Sequence, residues 1–178
     1  MSCWKPQLPN KPLTQIMQTQ EIILKQIVQA WDAQVAATDK LLEQFSETQW
    51  MKPVAPSRNR GIYILGHLVA IHDLMLPLLR FQDACFPELH QQFVRTPDNA
   101  DAAIPSLDEL KKAWNTVNEK LRQHMNELTA EQWTSRHGNV SDEDFAKEPH
   151  RNRINVLISR TNHLSYHRGQ LILLADKA

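Results

Sequence analysis

The chain has 178 residues, of which 42% are hydrophobic, so we expect one domain with a single sizeable core. Twenty basic residues balance twenty acidic ones, which argues against nucleic acid or an anionic membrane as a partner. The first residues lack an apolar leader, and two cysteines, Cys3 and Cys85, cannot build a disulfide framework. We therefore expect a cytoplasmic protein that binds neither nucleic acid nor a membrane.

The N-terminal part is predicted to contain an extended arm and a long helix. Three prolines in residues 1–12 favour the arm, and residues 13–178 then form one domain. Over residues 13–45, hydrophobic side chains recur at the spacing of an amphipathic helix. They are Ile16, Ile23, Ile27, Trp31, Val35 and Leu42. Residues 46–56, which include two prolines, are predicted to link this helix to the next one.

A second helix is predicted over residues 57–81, where Pro77 should kink or end it. Much of this segment is apolar enough for a membrane span to be the alternative. That alternative would place His67, His72 and Asp73 in hydrocarbon, at a cost of several kcal/mol. We therefore predict a buried core helix.

The C-terminal half is predicted to add two more helices. Residues 85–105 are longer than an ordinary connection between helices and favour a crossover. Ser106 and Glu109 have the spacing of a capping box for a third helix that ends near residue 128. Thr129 and Gln132 repeat that signal for a short turn, and a last helix is predicted over residues 151–176. With no alternating strand pattern, the sequence predicts an all-α four-helix bundle with a long crossover connection.

Two histidines on the last helix have the spacing of metal ligands. His163 and His167 are four residues apart, so their imidazoles lie one turn apart on nearly the same helix face. A third candidate ligand is His67, which shares a helix face with apolar residues and should point into the core. The alternatives are a core histidine held by one hydrogen bond, and an exposed histidine pair on the last helix.

These two segments resemble the DinB/YfiT-like superfamily. Its members are four-helix bundles that carry a divalent metal on three histidines, one from the second helix and two from a His-x-x-x-His-Arg-Gly-Gln segment of the last. Gly66-His67-Leu68 corresponds to the first part, and residues 163–170, His-Leu-Ser-Tyr-His-Arg-Gly-Gln, correspond to the second. The resemblance covers residues 14–176 as a bundle and residues 61–75 and 152–174 as motifs. It implies a metal site formed by His67, His163 and His167.

The resemblance further implies a metal-dependent enzyme, either a thiol-dependent transferase or isomerase or a hydrolase, and a homodimer. Three imidazoles suit Zn²⁺, Ni²⁺, Cu²⁺ or Fe²⁺, and we expect Zn²⁺ or Ni²⁺. Three protein ligands leave a coordination position for water, a small-molecule substrate or a low-molecular-weight thiol as cosubstrate. No residue beyond these ligands is assigned a catalytic role. The alternative is a non-catalytic metal-binding or structural bundle that acts in stress-associated interactions.

Other polar residues near the motifs receive less specific predictions. His72 lies about 140° around the helix from His67 and is left out of the site, as are the histidines at positions 90, 124, 137 and 150, which are expected to be solvated. Gly169 is predicted to allow close helix approach, and Gln170 to hydrogen-bond a ligand. Four arginines occupy the last predicted helix, at positions 151, 153, 160 and 168. They are expected to pair with acidic neighbours or face solvent, or else to clamp a carboxylate or an anionic thiol cosubstrate.

Overall fold

A computed structural model describes residues 13–99 and 101–175. Within these ranges the protein is helical and has no β-strand, which confirms the all-α prediction. Four helices are long: α1 is Leu13–Gln44, α2 is Gly61–Leu78, α3 is Leu107–Glu127 and α4 is Arg153–Leu171. The predicted N-terminal arm, residues 1–12, lies outside the described residues, so the predicted domain limits stay a prediction.

The long helices pack in a closed ring. Helix α1 packs against α3 and α4, and α2 packs against the same two helices from the other side. The centre is filled by large side chains that are fully buried, among them Trp31, Trp50 and Trp114. Helix α2 alone is long and apolar enough, among the described helices, to span a membrane. Of its residues, 78% are buried inside the protein, in agreement with the predicted core helix.

Short helical segments connect the long helices. Glu47–Trp50 follows α1, Ala130–Thr134 and Asp142–Lys147 precede α4, and the 3₁₀ turn Ile172–Leu174 follows α4. Both predicted capping boxes are present, at Ser106 and at Thr129. An N-cap of this kind contributes about 1 kcal/mol to helix stability.

The crossover between α2 and α3 contains structure of its own. One turn of α-helix, Glu88–His90, continues as a π-helix, Gln91–Arg95. Its buried Phe93 packs on Gly66 of α2, where an added Cβ would lie 2.4 Å from the Phe93 ring. The absence of a side chain at Gly66 therefore lets the crossover lie directly against α2, one residue from His67.

A buried carboxylate also fastens the crossover. Asp73 of α2 is fully buried, and it accepts hydrogen bonds from the backbone N–H groups of Cys85 and Phe86, at 2.7 and 2.9 Å. The imidazole Nε2 of His90 lies 3.0 Å from the second carboxylate oxygen. These three contacts satisfy a buried charge that would otherwise be costly.

Replacing Asp73 by asparagine should lower the free energy of unfolding by about 1–3 kcal/mol, because the amide cannot accept all three hydrogen bonds. Urea unfolding measures this change. Asp83→Asn is the matched control, since Asp83 is exposed in the same connection and its substitution should change stability by less than about 0.5 kcal/mol. Equal effects of the two substitutions would contradict the anchoring role of Asp73.

Candidate metal centre

The three predicted histidines lie on two neighbouring helices of opposite direction. His67 is in the middle of α2, and His163 and His167 are on α4. The start of α2 meets the residues after α4, since a Cβ on Gly61 would lie 2.5 Å from the side chain of Leu174. Because the helices are antiparallel neighbours, the structure brings all three predicted residues together.

The three imidazoles converge through their Nε2 atoms. His163 Nε2 lies 3.2 Å from His67 Nε2 and 3.2 Å from His167 Nε2. One ligand atom from each residue falls within 4.8 Å of the other two. A tetrahedral ion with bonds of about 2.0–2.1 Å would separate its ligand atoms by about 3.3–3.4 Å. The two separations from His163 Nε2 are close to that value.

Hydrogen bonds on the outer side of the rings set the tautomers of two histidines. His67 Nδ1 donates to the carbonyl oxygen of Phe93 at 2.8 Å, and His167 Nδ1 donates to Gln170 Oε1 at 2.8 Å. In the neutral rings, each Nε2 then carries a lone pair that faces the centre of the cluster. Such outer partners are typical of metal-ligating histidines.

His163 completes this cluster of lone pairs. Its Nδ1 is buried without a hydrogen-bond partner among the described residues. A single proton on His163 Nε2 could be shared with His67 or His167, but not with both. One divalent cation at the centre would bind all three Nε2 lone pairs. The three side chains are therefore better suited to ligating a metal ion than to hydrogen-bonding one another.

Burial keeps the three histidines in the ligating form. It lowers the pKa of His67 and of His167, and burial together with the charges of His167 and His67 lowers the pKa of His163 to about 3. Protonation of these imidazoles is therefore disfavoured at neutral pH. Metal ligation requires neutral imidazole, which these environments supply.

A small cavity of about 160 Å³ adjoins the cluster. Two of the ligand candidates, His67 and His167, line it. Its other lining residues come from α2, the loop before it and the crossover: Asn59, Tyr63, Ile64, Phe93 and Val94. No fourth histidine, cysteine or carboxylate joins the cluster within residues 13–99 and 101–175. A small molecule can therefore approach the histidines from this side.

The residues after His167 behave differently from one another. Gln170 hydrogen-bonds His167 as predicted, and its amide nitrogen donates to the Tyr166 hydroxyl at 3.2 Å. Arg168 turns away from the cluster and donates to Gln34 of α1 at 3.0 Å. The prediction for Gly169 was wrong, because an added Cβ there would meet no atom within 4 Å outside its own helix among the described residues. No described helix packs closely on Gly169.

The other histidines lie apart from the cluster; His150 is exposed as predicted, whereas His90 and His124 are less exposed than predicted. His72 is fully buried, with its ring near those of Trp31 and Trp114, and its Nδ1 donates to Asn118 Oδ1 at 2.7 Å. Burial lowers the pKa of His72 to about 4, so the ring is neutral.

The prediction of solvated histidines was wrong for His90, which contacts buried Asp73, and for His124, which stacks on Phe81. His90 therefore helps to hold the buried carboxylate of Asp73, and His124 packs against Phe81.

Comparison with known proteins places the chain in a family. The sequence profile of the DinB superfamily matches residues 30–171. A solved structure described as the conserved protein of locus from Enterococcus faecalis aligns with a TM-score of 0.58 and 15% sequence identity, over 84% of this chain and 93% of that one. At this identity the likeness concerns the fold alone. No curated protein matches the sequence. The family profile spans most of the chain, and the protein belongs to the DinB superfamily.

Proposed function

We propose that this protein is a metal-dependent enzyme in which His67, His163 and His167 hold one divalent ion, Zn²⁺ or Ni²⁺, beside a small-molecule cavity. The observation that carries the proposal is the convergence of three neutral imidazoles through Nε2, with the outer nitrogens of His67 and His167 already hydrogen-bonded. A purely structural cluster would not need lone pairs directed at one another.

When bound, the ion would supply a Lewis acid with an open position, able to lower the pKa of a nucleophile near neutral pH. The residues of the protein orient the ligand rings and the cavity wall. The Phe93 carbonyl and the Gln170 amide fix the two flanking rings, and Tyr63 is fixed by a hydrogen bond from its hydroxyl to the carbonyl oxygen of Thr96. The cavity is thus bordered by side chains with few alternative positions.

The lining of the cavity favours a thiol over water as the nucleophile. None of the described residues that line it is a carboxylate, so no side chain there is suited to remove a proton from water. On the ion, a thiol with an unperturbed pKa near 8.5 would be fully deprotonated at neutral pH, whereas bound water, with its pKa lowered from 15.7 to about 7, would be only partly deprotonated and would gain more from a general base. We therefore propose a thiol-dependent transferase or isomerase, with a low-molecular-weight thiol as cosubstrate, ahead of a hydrolase.

Turnover assays test this proposal. The metal-loaded protein would be given an electrophilic substrate with a panel of low-molecular-weight thiols, and then ester and amide substrates without thiol. Thiol-dependent turnover that disappears in His167→Ala supports the transferase. Cleavage without thiol favours the hydrolase, and no turnover across both panels, together with retained metal, favours a non-catalytic metal-binding bundle.

Removing the metal is expected to lower the melting temperature, because the ion would link α2 to α4 only in the folded state. A ligand at a hundredfold excess over its dissociation constant stabilises by about 2.7 kcal/mol. For a domain of this size that corresponds to roughly 5–10 °C. Calorimetry with zinc and after chelation measures the shift. His163→Ala should show no zinc-dependent shift, and an equal shift in that variant would place the stabilising ion elsewhere.

A further inference from the structure

A second cavity, of about 280 Å³, lies between α4, the end of α2 and the loop that precedes α4. Apart from Leu78 and Val156, its lining is polar, with His137 and Asn139 from the loop and Asn155, Ser159 and Arg160 from α4. No acidic residue is among the described residues that line it. The proposed reaction at the histidine cluster does not use this cavity.

Arg160 lines this cavity and lies on the same helix as two of the three clustered histidines. It precedes His163 by three residues on α4, which is about 4.5 Å along the helix axis and on the same side. A ligand bound at the cluster could therefore extend a second group to Arg160.

Arg160 carries a charge that no described residue neutralises. It is half-buried, and its Nε is buried with no hydrogen-bond partner among the described residues. Desolvation lowers the pKa of this guanidinium, which means that burial of the charge is unfavourable. By contrast, Arg60 pairs with Asp98, and Arg151, also near the start of α4, pairs with Glu148. A half-buried cation with no anion among the described residues suggests that the anion comes from a ligand.

The loop beside Arg160 is fixed against the end of α2 through Gly138. The N–H of Gly138 donates to the carbonyl oxygen of Leu78 at 2.7 Å. A Cβ at Gly138 would lie 2.9 Å from the carbonyl oxygen of Pro77, so only glycine allows this approach to the end of α2. In the neutral His137 ring, Nδ1 accepts the Asn139 N–H at 3.3 Å and Nε2 carries the proton. The loop thus adds neutral hydrogen-bond donors to a fixed wall.

We propose that this cavity is a carboxylate-binding subsite, in which Arg160 holds the carboxylate of a small molecule whose reacting end lies at the histidine cluster. A planar guanidinium matches a carboxylate through two parallel N–H···O bonds, and such charge-assisted bonds are about twice as strong as neutral ones. The proposal rests on the proposed function, since the reacting end is placed at the metal. It assigns to this protein substrates or cosubstrates that are carboxylic acids.

Binding of mercaptocarboxylates to the cobalt-loaded protein tests this subsite, with thiolate-to-cobalt absorption as the readout. The probes are mercaptoacetate, 3-mercaptopropionate and 4-mercaptobutyrate, compared with 2-mercaptoethanol, which lacks the carboxylate. At least one acid should bind about tenfold more tightly than 2-mercaptoethanol, a difference in binding free energy of about 1.4 kcal/mol. Arg160→Gln should bring that ratio close to one while cobalt binding is unchanged, and Arg160→Lys should restore part of it.

Arg168→Gln is the matched control, because it removes the same charge from the same helix at a residue that contacts Gln34 instead. It should keep the wild-type ratio. The subsite proposal is overturned if no acid binds more tightly than 2-mercaptoethanol, or if Arg160→Gln keeps the preference. If the wild-type protein takes up no cobalt, the proposed function fails, and calorimetry with succinate on the metal-free protein then decides the subsite. Weaker succinate binding in Arg160→Gln supports it, and equal or absent binding overturns it.

Discussion

Replacing His163 by alanine is expected to weaken divalent-ion binding by at least about a hundredfold. His163 is the central member of the cluster, since its Nε2 lies 3.2 Å from the Nε2 of both His67 and His167. Loss of a hydrogen-bonding partner of a ligand alone costs about 10–100-fold in affinity, so loss of a ligand should cost at least as much. Competition with a chromophoric chelator measures the dissociation constant. Alanine favours helix, so α4 should remain intact.

His150→Ala is the matched control for this substitution. His150 is exposed in the loop before α4, and its removal should leave the dissociation constant within about twofold of the wild-type value. Affinity that falls equally in both variants would indicate adventitious binding by surface histidines. Unchanged affinity in His163→Ala would remove the cluster as the binding site.

The second large effect is expected in the core. His72→Ala should lower the free energy of unfolding by about 3–4 kcal/mol, because it empties the space beside Trp31 and Trp114 and leaves Asn118 Oδ1 without its donor. Urea unfolding measures the loss. The affinity for a divalent ion should stay within about twofold of the wild-type value, since His72 is outside the cluster.

This result would separate the two histidines of α2, His67 and His72, by role. A conservative His72→Gln substitution keeps a donor for Asn118 and should recover part of the lost stability. A stability loss below about 0.5 kcal/mol in His72→Ala would contradict the packing described for this residue. A large loss of metal affinity in a folded His72→Gln protein would contradict its separation from the cluster.

Helical periodicity was enough to predict the long helices, but not their limits. Helix α2 begins at Gly61 rather than at residue 57, because Ser57 has a positive φ of 59° and a bridge between Pro53 and Arg60 closes the preceding loop. Helix α4 begins at Arg153, after the Asn152 cap, and gives way to a 3₁₀ turn at Ile172, earlier than predicted. These limits depend on loop geometry that a hydrophobic pattern does not encode.

The spacing of His163 and His167 predicted their shared helix face, and the position of His67 on the apolar second helix, together with the family resemblance, added the third ligand. The hydrogen-bond partner of His67 could not be predicted from residue types, because it is the backbone carbonyl of Phe93 in the π-helix of the crossover. A carbonyl is present at every residue, so only the fold selects one. The cavity lined by Arg160 likewise depends on the contact of Gly138 with the end of α2, which joins distant parts of the sequence.

X-ray absorption spectroscopy of tag-free protein loaded with zinc tests the central claim most directly. The three-histidine centre predicts about one ion per chain, three imidazole nitrogens at about 2.0–2.1 Å, and one further ligand that exchanges with added thiol. Retention of no ion after gel filtration, or an ion bound by sulfur or carboxylate ligands before any thiol is added, would contradict the assignment of His67, His163 and His167 as a metal centre.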